Sequence, residues 1–574
     1  MKKPLLSEMT LREKIGQMLA PHNWDIYGKV EMEYDYSTSN MEDVRALCEK
    51  EQFGVIRGEQ VGVFYADEEN GGKVEKVEGY VEGNLLGNFS IKVDSKPYKK
   101  FIEKQNSYVK IPMLVGGDCA LGGAHVFNDL SSIINAVAVG AADSEDLAFA
   151  LGAAVAREMR CVGINWRWSP VLDLGNRNDD AVFRTFAMDD PERTVRLSKA
   201  YINGMQSEGV AACVKHFPGS GRIEARNSHF TTTINSDSME TWWSEQGKVY
   251  KDVIDGGVYS VMISHVVFPA ADDRQINGKY LPSTISSKII TDLLKGELGF
   301  KGVVVTDGIS MAGLYSLMPY EELIVELVNA GNDVILGSEI SSGDLIEAAV
   351  LDGRIPETRI DDACQRILDM KEKLGLFEDD YYNLPYEIED VAPETRRISE
   401  EIAKRSITLV RDRNNLLPLD KKDIKKVSVI ISTHSDAFLE HIKVLKEEFE
   451  SRGIEVYMQR RLKSTAELEK ISDNTDLIIY AGYLQMHAPE GYFRFFGDEV
   501  YTYYHAFNHG KEKSIGVSFG YPYIHYDTME NIDTFINAYN SSPEAMRAFV
   551  AAILGEIEIV GKTPVLLEPR IATR

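Results

Sequence analysis

Cysteine is scarce in this sequence, and its few copies form no pattern. The five cysteines among 574 residues are scattered and include no Cys-x-x-Cys pair: Cys48, Cys119, Cys161, Cys213 and Cys364. An odd number at such spacings excludes a disulfide framework and a cysteine-ligated zinc site, and it is typical of reduced thiols. We therefore expect a protein of a reducing compartment, with the cytoplasm as the default location.

Long apolar runs and excess positive charge are also missing. No run of about 18 apolar residues could span a membrane, and no apolar core of a signal peptide follows Met1. The chain has 63 Lys and Arg against 89 Asp and Glu, a net charge of −26, and no basic stripe. Nucleic acid and membranes are therefore not expected as partners.

Motifs for phosphate, metal and serine-nucleophile chemistry are absent as well. The glycine-rich pieces Gly116-Gly117, Gly122-Gly123 and Gly219-Ser-Gly221 lack the spacing of a dinucleotide fingerprint or a P-loop. The sequence has no Gly-x-Ser-x-Gly elbow of a serine hydrolase and no Cys/His cluster with metal-ligand spacing. We therefore expect neither a metal nor a cofactor.

Short apolar strands, each followed by a helical pattern, recur along the first two thirds of the chain. Such units predict an α/β fold in which a parallel sheet closes into a TIM-like (β/α)8 barrel, here over residues 1–375 with an insertion at 59–108. Residues 376–422, of which 376–400 are acidic and rich in Tyr and Pro, are interpreted as a linker. Further buried strands predict a second α/β domain, an αβα sandwich, over residues 423–574.

Polar side chains stand where several predicted strands end. Because parallel strands deliver their carboxyl ends to one mouth of a barrel, we expect these side chains to converge there: Asp118, Lys215, His216, His265 and Asp307. The strand before Lys215 continues into a Pro/Gly loop that carries two arginines, a glutamate and His229. Asp307, after Val-Val-Val-Thr, could be a nucleophile for glycoside cleavage or simply the cap of the next helix.

Several long motifs occur in an order that matches one enzyme family. They are Arg184-Thr-Phe with Asp190-Pro191, Lys215-His-Phe-Pro-Gly219 with Ser228-His229, Gly299–Met311, Asn415–Leu419 and Gly555–Pro564. Together they resemble glycoside hydrolase family 3, and the second of them is similar to the Lys-His-Phe-Pro-Gly-His-Gly…Asp-Ser-His signature of its β-N-acetylglucosaminidase branch. The resemblance covers nearly the whole chain.

The resemblance implies a retaining exo-β-glycosidase that hydrolyses terminal β-N-acetylglucosaminides of a small carbohydrate substrate. Asp307 would be the nucleophile that forms a covalent glycosyl-enzyme, and His229 the general acid/base on a loop. Four side chains at the mouth would hold the sugar hydroxyls: Asp118, Arg184, Lys215 and His216. We add His265 to these substrate-binding residues because it stands at the end of a predicted strand. The resemblance leaves the oligomeric state open.

One departure from the branch leaves the acid/base open. The branch pairs its histidine with an aspartate two residues earlier, and this sequence has Asn227 there, which cannot stabilise an imidazolium by charge. Glu224 on the same loop could supply a carboxylate. So could Glu490 after a second-domain strand, since the family's β-glucosidase branch takes a glutamate from that domain. Alternatively, Arg222 and Arg226 could attract phosphate as acceptor and make a phosphorylase. A member that binds sugar without cleaving it is the non-enzyme alternative.

Overall fold

A computed structural model describes most of the chain: residues 2–21, 41–58, 94–118, 122, 127–175, 177, 181–222, 224, 226, 228–484, 494–506 and 513–567. Its strands within these ranges form two six-stranded sheets and two short two-stranded pairs. The first sheet and the pair that continues it precede residue 340, and the second sheet follows residue 407. The chain therefore builds two sheet-centred units in sequence order.

The first unit is a ring of parallel strands, eight of them in the described ranges. Their bounds are β1 Leu19–Ala20, β2 Val55–Arg57, β3 Leu114–Gly117, β4 Trp166–Arg167, β5 Ala211–Phe217, β6 Ser260–Ile263, β9 Val303–Thr306 and β10 Ile335–Leu336. The sheet order is β2-β3-β4-β5-β6-β9, and a parallel bridge between Val305 and Val334 leads to the pair β10–β1. Since β1 also lies beside β2, the strands close into a barrel.

Helices surround this barrel, and side chains cap several of them. Thr10, Ser144, Asp190 and Ser238 each accept a backbone N–H from the first turn of the helix that follows. A hairpin of β7 (Gln275–Ile276) and β8 (Lys279–Tyr280) interrupts the pattern after β6. The helices of this part are Leu11–Met18, Met41–Glu51, Ser95–Asn106, Ala136–Ala142, Glu145–Cys161, Ala181–Arg184, Pro191–Ser207, Met239–Ser244, Gln246–Asp255, the π-helix Lys288–Glu297, Ala312–Tyr315, Tyr320–Ala330, Ser342–Leu351 and Glu357–Lys373, with short 3₁₀ turns at Leu6–Glu8 and Ser283–Ile285.

Two of the barrel helices, Glu145–Cys161 and Pro191–Ser207, cross at very short range. A Cβ at Gly152 would lie 2.2 Å from the carbonyl oxygen of Tyr201, and one at Gly204 would lie 2.1 Å from that of Phe149. Each glycine thus lets the backbone of the other helix approach. The two helices cannot pack in this way with any larger residue at either position.

The second unit is a mostly parallel sheet. Its strands are β11 Thr408–Asp412, β12 Lys426–Thr433, β13 Glu455–Arg460, β14 Leu477–Tyr483, β15 Ser514–Ser518 and β16 Thr534–Asn537, in the order β11-β16-β15-β14-β12-β13 with β11 antiparallel. Right-handed crossovers in this order place helices on both faces of the sheet. The helices that follow Lys373 are Ile388–Ser406, Asp436–His441, Lys443–Glu450, Thr465–Asn474, Asp498–Ala506, Ile524–Asp527 and Pro543–Ile553.

The structure places a helix and a strand inside the segment interpreted as a linker, and a helix inside the segment interpreted as an insertion. The predicted linker 376–422 contains the helix Ile388–Ser406 and the strand β11, whose backbone pairs with β16. We therefore propose that the second unit begins at Thr408 and not at residue 423. Of the predicted insertion 59–108, the helix Ser95–Asn106 stands between β2 and β3 as the helix of an ordinary strand–helix unit. Residues 59–93 lie outside the described residues.

The two units contact each other through hydrogen bonds and through a shared helix. The helix Ile388–Ser406 packs against Glu145–Cys161 of the barrel and against Pro543–Ile553 of the second unit. Asn135 donates to the carbonyl of Tyr539 at 3.0 Å, so the barrel also bonds directly to the segment after β16. Within the described ranges, no helix is both long enough and apolar enough to cross a membrane.

Candidate active site

Lys215, at the end of β5, meets Asp118 at the end of β3. Its ammonium group donates to Oδ1 of Asp118, and Nη2 of Arg57 lies 3.8 Å from Oδ2 of the same carboxylate. Burial opposes ionisation of Asp118, yet the charges of Lys215 and Arg57 hold its pKa well below the usual value. Arg184 lies close enough to lower this pKa further. Asp118 and Lys215, two of the side chains predicted to converge at the barrel mouth, thus lie together, and Arg184, which the resemblance implied, lies near them.

His216 is held by a carboxylate that the sequence reading did not single out. Asp173 Oδ1 accepts the backbone N–H of His216 at 3.1 Å, and its Oδ2 lies 2.7 Å from Nδ1 of the imidazole. This pairing places the Nδ1 proton towards Asp173 and leaves Nε2 facing away from it. Gln246 fixes the backbone on both sides of Asp173, because it accepts from the N–H of Leu174 and donates to the carbonyl of Leu172, each at 2.9 Å.

Asp307 follows β9 and lies at the centre of this group. Its backbone N–H bonds to Ile263 at 2.9 Å, and its Oδ1 accepts the N–H of Gly308 at 2.8 Å. Burial raises the pKa of a carboxyl, but here His216 and other positive groups outweigh it, and the pKa of Asp307 falls below its usual value. Asp307 is therefore held as a carboxylate among cationic and imidazole groups.

His265 has a different place from the one predicted. The imidazole is buried, with Nε2 2.9 Å from the carbonyl of Gly308 and Nδ1 3.0 Å from the hydroxyl of Thr284. A carbonyl only accepts, so Nε2 carries the proton and Nδ1 accepts from Thr284. Burial lowers the pKa of His265 and favours this neutral form. Because both nitrogens are engaged by the protein, we correct its role from substrate contact to support of the backbone after Asp307.

His229 lies on a loop that is bonded to the segment after Asp307. The carbonyl of His229 accepts the N–H of Ala312 at 3.3 Å, and the hydroxyl of Thr232 donates to the carbonyl of Gly313 at 3.3 Å. His229 is close enough to lower the pKa of Asp307. The loop thus brings the predicted acid/base to the predicted nucleophile. Asn227 and Glu490 lie outside the described residues.

Glu224, the other acid/base alternative on this loop, is engaged in holding the loop together. Its carboxylate accepts from Nε and Nη2 of Arg226 at 3.0 and 2.7 Å and from the backbone N–H of Ile234 at 2.8 Å. Against the effect of burial, these bonds lower the pKa of Glu224 to about 2. A carboxylate held in this way is a poor proton donor near neutral pH.

Both loop arginines have carboxylate partners. Arg226 pairs with Glu224, and Arg222 donates from Nε to Glu245 at 2.5 Å and from Nη1 to Asp189 at 3.2 Å. Their charge is thus largely matched within the protein, which weakens the expectation that they attract phosphate. Among the described residues, no group of three or more His, Cys, Asp or Glu side chains could hold a metal ion.

Arg57 and Asp173 are the two site residues that sequence reasoning missed. Arg57 ends β2, and its guanidinium lies 5.7 Å from the ring centroid of Trp168 while it also faces Asp118. A rule that every polar residue at the end of a barrel strand is a candidate would have found Arg57. Asp173 lies six residues beyond the end of β4, in an irregular stretch whose course the sequence does not reveal.

A barrel whose mouth holds an ionised carboxylate and a histidine on a mouth loop has the groups that a glycoside-cleaving enzyme requires. Comparison with known proteins identifies the family within that class. Residues 10–370 match the family model described as "Glycosyl hydrolase family 3 N terminal domain". The chain therefore belongs to glycosyl hydrolase family 3, as its motifs predicted.

Individual relatives agree with this assignment. A protein of Cellulomonas fimi named beta-N-acetylglucosaminidase/beta-glucosidase is 29% identical over 497 residues, which cover 80% of this chain and 84% of that protein. A beta-hexosaminidase of Stenotrophomonas maltophilia (strain K279a) is 34% identical over 182 residues, which are 32% of this chain and about half (52%) of that protein.

Solved structures confirm the predicted fold class. A structure titled beta-glucoside phosphorylase BglX has a TM-score of 0.79 at 23% identity. The superposition covers 99% of this chain and 95% of that chain. A family 3 beta-N-acetylglucosaminidase from Paenibacillus sp. str. FPU-7 has a TM-score of 0.75 at 25% identity. Here the superposition covers 98% of this chain and 100% of that chain. The chain is thus a TIM-like barrel followed by a second α/β unit.

Proposed function

We propose that this enzyme is a retaining exo-β-glycosidase that removes terminal β-N-acetylglucosamine through a covalent intermediate on Asp307. The observation that carries the proposal is the ionised Asp307, lying within the electrostatic reach of His216, Lys215 and His229 at the barrel mouth. The printed names of the relatives from Cellulomonas fimi and Stenotrophomonas maltophilia support the choice of an N-acetylated sugar.

The first half of the reaction forms the intermediate. A carboxylate oxygen of Asp307 attacks the anomeric carbon while the bond from that carbon to the leaving-group oxygen breaks. His229 in its imidazolium form donates a proton to the departing oxygen and becomes neutral. Asp307 suits this role because its lowered pKa keeps it ionised, and thus nucleophilic, at all pH values near neutrality.

The second half releases the sugar. Neutral His229 accepts a proton from a water molecule, whose oxygen attacks the anomeric carbon while the bond to Asp307 breaks. The products are a sugar with retained β configuration, the free Asp307 carboxylate and imidazolium at His229. Two inversions at one carbon give retention, so the stereochemistry follows from the double displacement.

The sugar itself would be held by the polar groups around Asp307. Lys215 and His216 each have one protein partner, Asp118 and Asp173, that fixes their orientation before substrate arrives. Preorganised groups of this kind place the anomeric carbon against the nucleophile without an ordering cost at the moment of reaction. We propose that Asp118, Arg184, Lys215 and His216 bind the sugar hydroxyls.

We also propose a cytoplasmic location. Four cysteines, all in the described ranges, are buried free thiols: Cys48, Cys161, Cys213 and Cys364. Burial is the main cause that raises the pKa of each of them to about 12, which keeps them protonated and unreactive. Inert reduced thiols fit a compartment in which disulfides do not form.

Turnover of p-nitrophenyl β-N-acetylglucosaminide and of the matching β-glucoside tests the sugar and the acceptor. We expect preferential cleavage of the N-acetylated substrate, little effect of added phosphate, and loss of turnover in Asp307→Ala with sugar binding retained. Preference for the glucoside would show that the substrate sugar is glucose and not N-acetylglucosamine. Acceleration by phosphate with release of sugar 1-phosphate would replace hydrolysis by phosphorolysis.

Rescue by azide tests the acid/base. A small anion can replace the missing base at the intermediate only when the residue removed is the true acid/base. We expect azide to restore turnover in His229→Ala and to leave Glu224→Gln and Glu490→Ala unaffected. Rescue of Glu490→Ala instead would transfer the role to the second unit, as in the β-glucosidase alternative.

A further inference from the structure

Asp189 joins three separate parts of the chain through one carboxylate. It lies in the turn before the helix Pro191–Ser207, and its Oδ1 accepts from Nη1 of Arg222 at 3.2 Å. Its Oδ2 accepts the backbone N–H of Leu566 at 3.0 Å and faces the hydroxyl of Tyr523 at 3.5 Å. Arg222 belongs to the active-site loop, and Tyr523 and Leu566 belong to the second unit.

Arg222 holds the limb of the loop that leaves β5. Arg222 also donates from Nε to Glu245 at 2.5 Å. Just before Arg222, the side-chain amide of Asn235 donates to the carbonyl of Gly219 at 3.0 Å, which ties the two limbs of the loop together. The Asp189–Arg222 pair therefore connects the base of the loop to the second unit.

The far side of the same loop is tied to the segment after Asp307. The bonds of Ala312 to the carbonyl of His229 and of Thr232 to the carbonyl of Gly313, both at 3.3 Å, are long and involve only neutral groups. His229 itself accepts one of these two bonds, and it lies in a turn at residues 228–230 and not in a regular helix or strand. The charged tie at Arg222 is the shorter of the two and the stronger by its chemistry.

We propose that Asp189 is a positioning residue for the general acid/base, and that the second unit acts through it, by way of Tyr523 and Leu566, to set the position of His229. This inference rests on the proposed function, because it assigns Asp189 to the proton-transfer step of that reaction. The Asp189 carboxylate bonds to Arg222, Tyr523 and Leu566, and none of these is among the residues proposed to contact the sugar. Its effect on rate must therefore appear only in reactions that need a proton from the loop.

A matched control exists at the same junction. Asp527 also bridges the barrel and the second unit, since its Oδ1 lies 3.4 Å from Nη1 of Arg177. Its side chain is 12% exposed and that of Asp189 is 14% exposed, so the two carboxylates are equally buried. Among the residues that the structure describes, the Asp527 side chain makes no hydrogen bond or ion pair with the active-site loop. Asp527→Asn thus reproduces the loss of one interface charge without touching the loop.

Hydrogen–deuterium exchange gives a readout that does not depend on turnover. In peptides that cover residues 218–234, we expect exchange to become several-fold faster in Asp189→Asn than in the wild type. We expect a smaller acceleration in Tyr523→Phe and none in Asp527→Asn. Unchanged exchange of these peptides in Asp189→Asn would overturn the proposal, whatever the enzyme turns out to cleave.

Leaving-group dependence then tests the link to His229. Dinitrophenolate is a good leaving group that departs from its glycoside without a proton, whereas the leaving oxygen of a phenyl glycoside needs one. In Asp189→Asn we expect kcat/KM for the phenyl glycoside to fall about tenfold, a fraction of what general acid catalysis contributes, and that for the dinitrophenyl glycoside to change less than about twofold. Equal losses on both substrates would also overturn the proposal. If the wild type cleaves neither glycoside, the proposed function fails, and the exchange result still decides whether Asp189 anchors the loop.

Discussion

At the scale of single residues, the site is built from pairs in which a carboxylate prepares a second group for its task. Asp118 orients Lys215, and Asp173 orients His216. Hydrogen bonds to charged groups are worth about 1.5–3 kcal/mol each in proteins, so we expect each pair to have a measurable share in the proposed reaction. Two experiments follow from this arrangement.

The first concerns the pair of Asp173 and His216. Asp173→Asn removes the charge that orients the imidazole, and we expect kcat/KM to fall about 10–100-fold, as the energy of one such bond requires. His216→Ala should cost at least as much. Because both changes remove the same interaction, the double variant should be no worse than His216→Ala alone. Additive losses in this cycle would show that Asp173 acts independently of His216.

The second concerns the charge around Asp307. A lowered pKa means that Asp307 loses its nucleophilic form only below its usual value of 3.8, so the acid limb of kcat/KM should appear only at strongly acid pH. Lys215→Met removes one of the positive charges, and the acid limb should move to higher pH by up to about one unit. The control is Lys251→Met, which removes an equal charge from an exposed surface pair. A limb that does not move in Lys215→Met would contradict the assignment of the limb to Asp307.

Residue identities at the barrel mouth were largely predictable because a parallel barrel collects its strand ends in one place. That rule brought Asp118, Lys215 and Asp307 together from sequence alone. It could not distinguish a side chain that faces the mouth from one that turns into the protein, as His265 does towards Thr284. Asp173 was missed because its value depends on a contact with His216, 43 residues away, that no local pattern encodes.

At the scale of elements, strand–helix alternation predicted the two units, but it did not predict the position of the boundary between them. The strand β11 lies in an acidic, helix-rich stretch, and it joins the sheet only through β16, more than 120 residues later. The close crossing of two helices likewise cannot be predicted from the sequence pattern within each helix. Gly152 and Gly204 sit inside helices where intrinsic preference disfavours glycine, and only the approach of the neighbouring backbone explains them.

The crossing of these two helices gives a third prediction. Gly152→Ala places a methyl group where the carbonyl of Tyr201 now lies, so the helices must separate, and we expect a loss of about 1–3 kcal/mol in the free energy of unfolding. Gly296→Ala is the control, since its site is exposed and its Cβ would meet only the carbonyl of Thr291 at 3.4 Å. Urea denaturation measures both. A Gly152→Ala protein as stable as the control would refute the close crossing.

At the scale of the whole molecule, the helix Ile388–Ser406 packs on both units and should make them unfold together. Tryptophan fluorescence reports the barrel, because all five tryptophans precede Ser244 and the four in the described ranges lie in the barrel unit: Trp166, Trp168, Trp242 and Trp243. We expect the tryptophan fluorescence and far-ultraviolet circular dichroism to follow one coincident urea transition. A dichroism transition with a second step that the fluorescence lacks would show that the units unfold independently.

The contact between Asp189 and Leu566 also determines when, during translation, the anchor of the active-site loop can form. The two residues are 377 positions apart, and a ribosome that adds about 5–20 residues per second needs about 20–75 seconds to travel from one to the other. Throughout that interval the barrel can emerge and begin to fold, yet its active-site loop lacks the partner that completes its anchor. A nascent chain would thus form the proposed sugar pocket well before His229, the proposed proton donor, is fully placed.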